Sequence, residues 1–258
     1  MSVPRQLRVA DLTKDEFAAA MRDGHWLLLP LGSTEQHGPH LPLGTDFLYA
    51  EHVSLKVAEQ VNGLVAPGLP YGICRTMRNF PGTVSLSIET FVPLVREILS
   101  EYVRHGARKL ALIAGHAEEA HDAAVREAVL PLANADPSLT ILAIGPYAFL
   151  DPIRREADLV GRDGHAGSIE TSEMLAIAAD LVHPDRIPRV TRPPLSRFLI
   201  KAHPERDFPT GVRGDTSKVS RALGERALDH TISEIVRVLK NLDAGGTEWG
   251  GDAMISDQ

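Results

Sequence analysis

Three short stretches carry the residue types that bind metal ions and move protons. The first runs Gly32-Ser33-Thr34-Glu35-Gln36-His37-Gly38-Pro39-His40-Leu41-Pro42-Leu43-Gly44-Thr45-Asp46. Glu35 and His37 are two residues apart, so an extended backbone turns both to one side. Asp46 follows across a loop constrained by glycine and proline. A carboxylate, an imidazole and a second carboxylate suit Zn2+, Mn2+ or Fe2+, and a carboxylate can bridge two ions. The second stretch is Gly115-His116-Ala117-Glu118-Glu119-Ala120-His121, with His116 at the tip of an apolar run. Glu119 suits a first helical turn, where acids favour the helix dipole, and His121 and Asp122 are expected on a solvated face. The third is Asp163-Gly164-His165-Ala166-Gly167-Ser168-Ile169-Glu170-Thr171-Ser172. Its glycines suggest close backbone approach around His165, and Glu170 falls in the first turn of a helix beginning near Ser168.

Each stretch alone has a plain structural explanation: a polar loop, a capped helix, a dipole-stabilising acid. Their value lies in what positions them. Thr13-Lys14-Asp15-Glu16 is a capping-box pattern that starts a helix to about Arg22. Trp26–Leu31, Lys109–Ala114 and Leu139–Ile144 are short runs apolar on both faces, as in strands of a parallel sheet covered on both sides. Leu64–Pro67 is a shorter strand. Helices are expected over Phe47–Asn62, Ile88–Arg104, Glu119–Leu130 (with Pro131 as its stop), Ser168–Leu181 and Lys218–Leu242. Pro70–Ser87 and Gly145–Gly167 read as loops. Strands alternating with helices predict an α/β fold, in which strand–loop–helix junctions gather at one sheet edge. Two metals sharing a water need about this many ligands.

Composition narrows the partners. With 34 acidic against 27 basic residues the net charge is −7, which argues against nucleic acid. The single cysteine, Cys74, excludes a thiolate metal cluster, so any metal must rely mainly on His and carboxylate. No apolar run reaches the ~18 residues of a membrane span, no secretory signal is expected, and the protein is placed in the cytoplasm without a membrane partner. No composition shift marks a boundary, so residues 1–258 are taken as one domain, with 243–258 as a flexible tail.

Taken together these residues resemble the creatininase (creatinine amidohydrolase) family. Leu31 to Asp46 is similar to that family's opening signature almost residue for residue. Phe80-Pro81-Gly82-Thr83-Val84-Ser85-Leu86 and His105-Gly106-Ala107-Arg108 to Gly115-His116 are similar to its middle, Gly164-His165-Ala166-Gly167 with Ile169-Glu170-Thr171-Ser172 to its third signature, and Gly211-Val212-Arg213-Gly214-Asp215 to its late turn. The resemblance spans roughly residues 20 to 240. It implies a three-layer α/β/α sandwich with a mainly parallel sheet and a hexameric assembly. It also implies a site for two divalent ions (Zn2+, Mn2+ or Fe2+) that hydrolyses a carbon–nitrogen bond other than a peptide bond. By motif position, Glu35, Asp46 and His116 would hold one ion, and His37 and Asp46 the other. The second ion needs one more carboxylate, for which Glu118 and Glu170 compete. His165 matches the proton-shuttling histidine, and His40 is a candidate to support a ligand.

The implied reaction is attack of a metal-bridging hydroxide on an amide carbonyl, with His165 protonating the leaving nitrogen. Family members open cyclic amides, deformylate pyrimidine intermediates or trim peptides, so a small-molecule amide is the expected partner. Creatininase lines its pocket with tryptophans from its later half. Here the tryptophans are Trp26, in the first strand, and Trp249, in the tail. Tyr147 or Phe149 would have to substitute, which disfavours creatinine itself. Cys74, Arg75 and Arg78, on the loop before Ser85, are candidates for the pocket, the arginines as partners for a carboxylate or phosphate. The competing expectation is a family member that binds metal without hydrolysing an amide.

Overall fold

A computed structural model describes residues 7–190 and 201–246. Its centre is a four-stranded parallel sheet in the order β2-β1-β3-β4, with β1 at Trp26–Leu31, β2 at Gly63–Val65, β3 at Lys109–Ala114 and β4 at Thr140–Ile144. β1 is buried along its whole length and β3 from Leu110 onward, as their unbroken apolar sequences require. The long helices are α1 (Lys14–Arg22), α2 (Thr45–Ala58), α3 (Ile88–Arg104) and α4 (Glu119–Ala135). They are followed by the short α5 (Asp151–Glu156), then α6 (Ser168–Ile177) and α7 (Arg221–Asp243).

Alternation along the strands sorts their side chains into two cores. Leu27, Leu29, Leu31, Leu110 and Leu112 pack with Met21 of α1, Phe91, Val95 and Leu99 of α3 and Val125 of α4. Trp26, Leu28, Ala111 and Ile113 pack on the other face with Tyr49, Val53 and Val57 of α2 and Ile232, Ile235 and Leu239 of α7. Helices cover both faces, giving the three-layer α/β/α sandwich that the sequence implied. The order in which strands are added reverses between the parallel β1 and β3: β1 leads to an outer strand on one side, β3 to an outer strand on the other. The crevice beyond the carboxyl ends of such a strand pair is where open α/β sheets place their sites.

Local signals account for most element boundaries. The Thr13 capping box forms, with the Glu16 amide donating to Thr13 Oγ1 and the Thr13 amide to Glu16 Oε2 at 2.7 Å. Ser87 and Ser220 cap α3 and α7 through their hydroxyls. Two expectations are corrected. Pro131 does not end α4, which runs on to Ala135. A helical proline strands the carbonyl four residues back, and here Arg96 of α3 donates to Glu127 O at 3.3 Å and to Ala128 O at 3.4 Å. The segment after β4 is not wholly irregular, since Pro146–Phe149 forms a 3-10 turn and α5 follows it. Of the expected tail, α7 takes Asp243, and residues 247–258 lie outside the described residues. No helix among the described residues is long and apolar enough to cross a membrane.

Candidate metal centre

The three motif stretches meet at the carboxyl ends of β1 and β3. β1 runs directly into Gly32-Ser33-Thr34-Glu35-Gln36-His37, and β3 into Gly115-His116. Asp46 sits in the first turn of α2, whose amino terminus favours a carboxylate. That end of α2 lies so close to β3 that a Cβ on Gly115 would stand 2.2 Å from Asp46 O. Only glycine lets His116 and Asp46 come together there. His165 and Glu170 arrive from the turn into α6. Ala166 adopts a left-handed φ of 55°, uncommon outside glycine, and its amide donates to Glu170 Oε2 at 2.6 Å.

Asp46 is the hub. His37 Nε2 lies 3.1 Å from its Oδ1, and His116 Nδ1 2.9 Å from its Oδ2. Ser33 Oγ also donates to Oδ2, at 2.6 Å. His116 Nδ1 is 3.2 Å from Glu35 Oε2, and His37 Nε2 is 3.9 Å from Glu170 Oε2. Main-chain carbonyls hold the far nitrogens of both rings, His37 Nδ1 at 3.0 Å from Glu35 O and His116 Nε2 at 2.9 Å from Ile73 O. A carbonyl can only accept, so each of these nitrogens carries the proton. The inward nitrogen of each ring is left as the one that can bind a cation. Glu35, His37, His116 and Asp46 are all buried. Glu35 Oε2 and His37 Nε2 have no hydrogen-bond partner among the described residues.

These groups set one another's charge. Burial pushes Asp46 and Glu35 toward neutrality, but the imidazoles beside them outweigh it and hold both below the usual carboxylate range. Burial likewise opposes charge on His37, yet Asp46 and Glu170 raise it to about 9, and Asp46 raises His116 well above its usual range. Glu170 is pushed up to about 7, by burial against the pull of His37. Ligand atoms from three sets of residues gather within 4.8 Å of one another: Glu35, Cys74 and His116; Glu35, His37 and His165; and His37, Asp46 and Glu170. Buried carboxylates, inward imidazole nitrogens that can bind a cation once they give up their protons, and oxygen and nitrogen atoms without hydrogen-bond partners together fit divalent cations.

Every residue singled out for metal or proton chemistry lies at this crevice, though not equally deep. Glu118 is only part-buried, and its Oε2 accepts from the Thr76 amide at 3.3 Å. His165 Nε2 donates to Gln36 O at 2.7 Å, and its Nδ1 lies 3.9 Å from Glu35 Oε2. Its ring packs 4.2 Å from that of His37. Burial, with the charge of His37, lowers His165 to about 4. His40 is buried and pairs with Thr171 Oγ1 at 2.9 Å.

A cavity of about 280 Å3 opens onto the cluster, lined among others by Glu35, Asp46, His116, Glu118, His165 and Glu170. Four expectations change here. His121 is fully buried, edge-on to His116 and against Phe91, whereas Asp122 is solvated and pairs with Arg126. Arg75 and Arg78 are exposed and do not line the cavity; Arg154 and Arg213 do. Tyr147 lines it, while Phe149 belongs to the α2/α7 core. Cys74, read only as a pocket candidate, comes within ligand distance of Glu35 and His116. Trp26 is in the core and Trp249 lies outside the described residues. Sequence reasoning also missed Gln36. Its side-chain amide donates to Gly211 O at 2.9 Å and its main-chain carbonyl accepts from His165 Nε2, tying the first motif to the late turn and to the third. Its place between Glu35 and His37 was the available signal.

The creatininase (creatinine amidohydrolase) profile matches residues 10–239. Creatinine amidohydrolase of Pseudomonas putida is 34% identical over 252 residues, covering 90% of this chain and 95% of the relative. The mycofactocin precursor peptide peptidase of Mycobacterium ulcerans is 33% identical, covering 82% and 84%. Two solved structures superpose over 92% of the chain at a TM-score of 0.81. One is a creatininase described as its Mn form, 30% identical and matched over 99% of its length. The other is a mutant creatininase described as Zn-Zn type, 31% identical and matched over 98%.

Proposed function

This chain belongs to the creatininase family, and from that premise we propose that it is a metal-dependent amidohydrolase. Its substrate would be a cyclic amide, a formamide or a small peptide-like molecule, cleaved at an amide C–N bond. The named activities of the two relatives, on creatinine and on a precursor peptide, share that bond type. The observation that carries the proposal is Asp46, which offers one oxygen to His37 and the other to His116 inside a buried, water-accessible crevice. A buried carboxylate with an imidazole beside each of its oxygens would suit two neighbouring divalent ions.

Glu35, Asp46 and His116 would hold one ion. His37, Asp46 and Glu170 would hold the other, since the Glu170 carboxylate faces His37 while Glu118 is turned to the Thr76 amide. When bound there, Zn2+ or Mn2+ would supply acidification of a water and polarisation of an amide carbonyl. The rest falls to the chain. Glu118, on the cavity wall, orients the attacking water. His165 is neutral at pH 7 and, with Nε2 donating to Gln36 O, presents a basic Nδ1 to the cavity. It therefore accepts the proton of the water first and then delivers it to the departing nitrogen. Tyr147 supplies an aromatic wall. The cytoplasm and a hexameric assembly complete the proposal by family likeness.

The test is metal analysis combined with turnover on a panel of cyclic amides, formamides and short peptides. Two ions per chain, activity on at least one class and loss of both on chelation are expected. Glu170→Gln should lower metal content, whereas Glu118→Gln should lower turnover with metal retained. Two bound ions with no activity across the panel would favour the metal-binding, non-hydrolytic alternative.

A further inference from the structure

We propose that Arg213 forms an anion subsite at the cavity wall, so that the amide hydrolysed here carries a carboxylate group of its own. This rests on the hydrolase proposal above and specifies its substrate class. Among the described residues, two arginines line the cavity. Arg154 is committed: it pairs with Asp151 at 3.0 Å and Asp163 at 3.3 Å, and donates to Tyr147 O at 3.2 Å. Arg213 is not. No carboxylate among the described residues lies within ion-pair distance of its guanidinium, which sits 5.6 Å from the ring centre of Phe208. Glu118 and Glu35 attract it only through space, and burial works against its charge.

A half-buried guanidinium without a counter-charge loses hydration for no return. A ligand carboxylate supplies that return, because the planar fork of donors matches two carboxylate oxygens at once. The placement is also rigid. The amides of Arg213 and Gly214 both donate to His165 O, at 2.9 and 3.1 Å. Gly214 is pressed so tightly onto the third motif that a Cβ there would stand 2.5 Å from Gly164 O. Arg213 and His165 therefore move as one piece. An anion held by the first is placed at a constant offset from the group that protonates the leaving nitrogen. Asp207 and Asp163, the other acids on this part of the wall, face Lys201 and Arg154 respectively, so they do not compete for Arg213.

The experiment compares the metal-loaded wild type with Arg213→Gln and Arg213→Lys on matched pairs differing only in charge. These are N-formyl amino acids against their carboxamides, hydantoin-5-acetic acid against its amide, and short peptides with free against amidated carboxyl ends. Binding of succinic monohydroxamate and of its amide, followed by calorimetry, gives a readout that needs no turnover. The wild type should prefer the acid of each pair. Arg213→Gln should cut that preference about 10- to 100-fold, the range for a charged hydrogen-bonding partner, mainly through KM and with metal content retained. Arg213→Lys should keep part of it, because it keeps the charge but not the fork. A wild type indifferent to the carboxylate, or an Arg213→Gln variant that loses acid and neutral members alike, overturns the subsite. If no substrate is turned over but the hydroxamate preference exists and disappears in Arg213→Gln, the hydrolase proposal fails and the subsite stands.

Discussion

Two groups of buried acids lie close together in this molecule and behave in opposite ways. Around Asp46, carboxylates and imidazoles interleave. Burial alone would neutralise the acids, but His37 and His116 keep them ionised. One turn along α6 from Glu170, Glu173 is equally buried, and neither of its oxygens has a hydrogen-bond partner among the described residues. Its neighbours are Tyr49, Tyr147 and the acids Glu170 and Asp163, with Arg154 acting against them. Burial and those acids raise it well above the carboxylate range, so it stands as a neutral acid. The same residue type at the same depth is an anion in one place and a carboxylic acid in the other. The difference is the supply of cationic partners, and the first arrangement is the one proposed to take metal ions.

The largest effect expected on this contrast comes from Asp46→Asn. It removes the shared anion, so metal content and turnover should both fall to background. The metal-free chain should lose about 3 kcal/mol of stability, as when one partner of a buried ion pair is removed. A variant that still binds two ions would end the assignment of Asp46 as the bridge. Burial, with the charge of His37, keeps His165 neutral. His165→Ala should lower turnover by roughly 10^2- to 10^4-fold, the usual worth of a general acid–base, with metal content unchanged. Full turnover in that variant would remove the shuttle role.

A third expectation concerns protons. His37 keeps its proton up to about pH 9 in the metal-free chain, and a cation must displace it. Apparent metal affinity should therefore rise about tenfold per pH unit for each proton released, with the His37 contribution levelling near pH 9. Calorimetry in buffers of different ionisation enthalpy should register the released protons. Affinity independent of pH between 6 and 8 would contradict the charged cluster.

The smallest effect is expected from Glu173→Gln, which replaces a neutral acid by a neutral amide. Metal content and turnover should not change. The sign of its stability effect follows from linkage. Folded Glu173 retains a proton that the unfolded chain releases above about pH 4.3, so rising pH destabilises the wild type but not the variant. Glu173→Gln should match the wild type near pH 4 and exceed it increasingly toward pH 8 in chemical denaturation. A gap independent of pH would mean that Glu173 is ionised, and the contrast with Asp46 would disappear.

Much of this site is legible in the sequence because its proposed ligands sit in compact motifs at strand ends, and parallel α/β order brings such ends together. Glu35, His37, Asp46, His116 and His165 can be named for that reason. The competition between Glu118 and Glu170 cannot be judged from spacing, since it depends on which way each carboxylate turns. His121 reads as solvated because it follows two acids on a helix. Its burial comes from Phe91, thirty residues earlier, on a neighbouring helix. Pro131 misleads for a similar reason: the carbonyls that answer it bond to Arg96 from another helix. Arg213 outranks Arg75 and Arg78 only through the packing of its turn onto the third motif. In each case the missing information is a contact between segments distant in sequence.

The carbonyls that hold the three central histidines have one more consequence. Glu35 O, Ile73 O and Gln36 O orient His37, His116 and His165 from the main chain. Ring orientation is therefore written in peptide geometry, and a substitution scan at position 73 would register only hydrophobic fit. Alanine there keeps the carbonyl, so tolerance would be mistaken for irrelevance. Removing the acceptor itself, by an ester or thioamide in the backbone, would expose its importance. Such an arrangement also separates evolvability from catalysis: loop side chains can be exchanged for a new substrate while the imidazoles keep their aim.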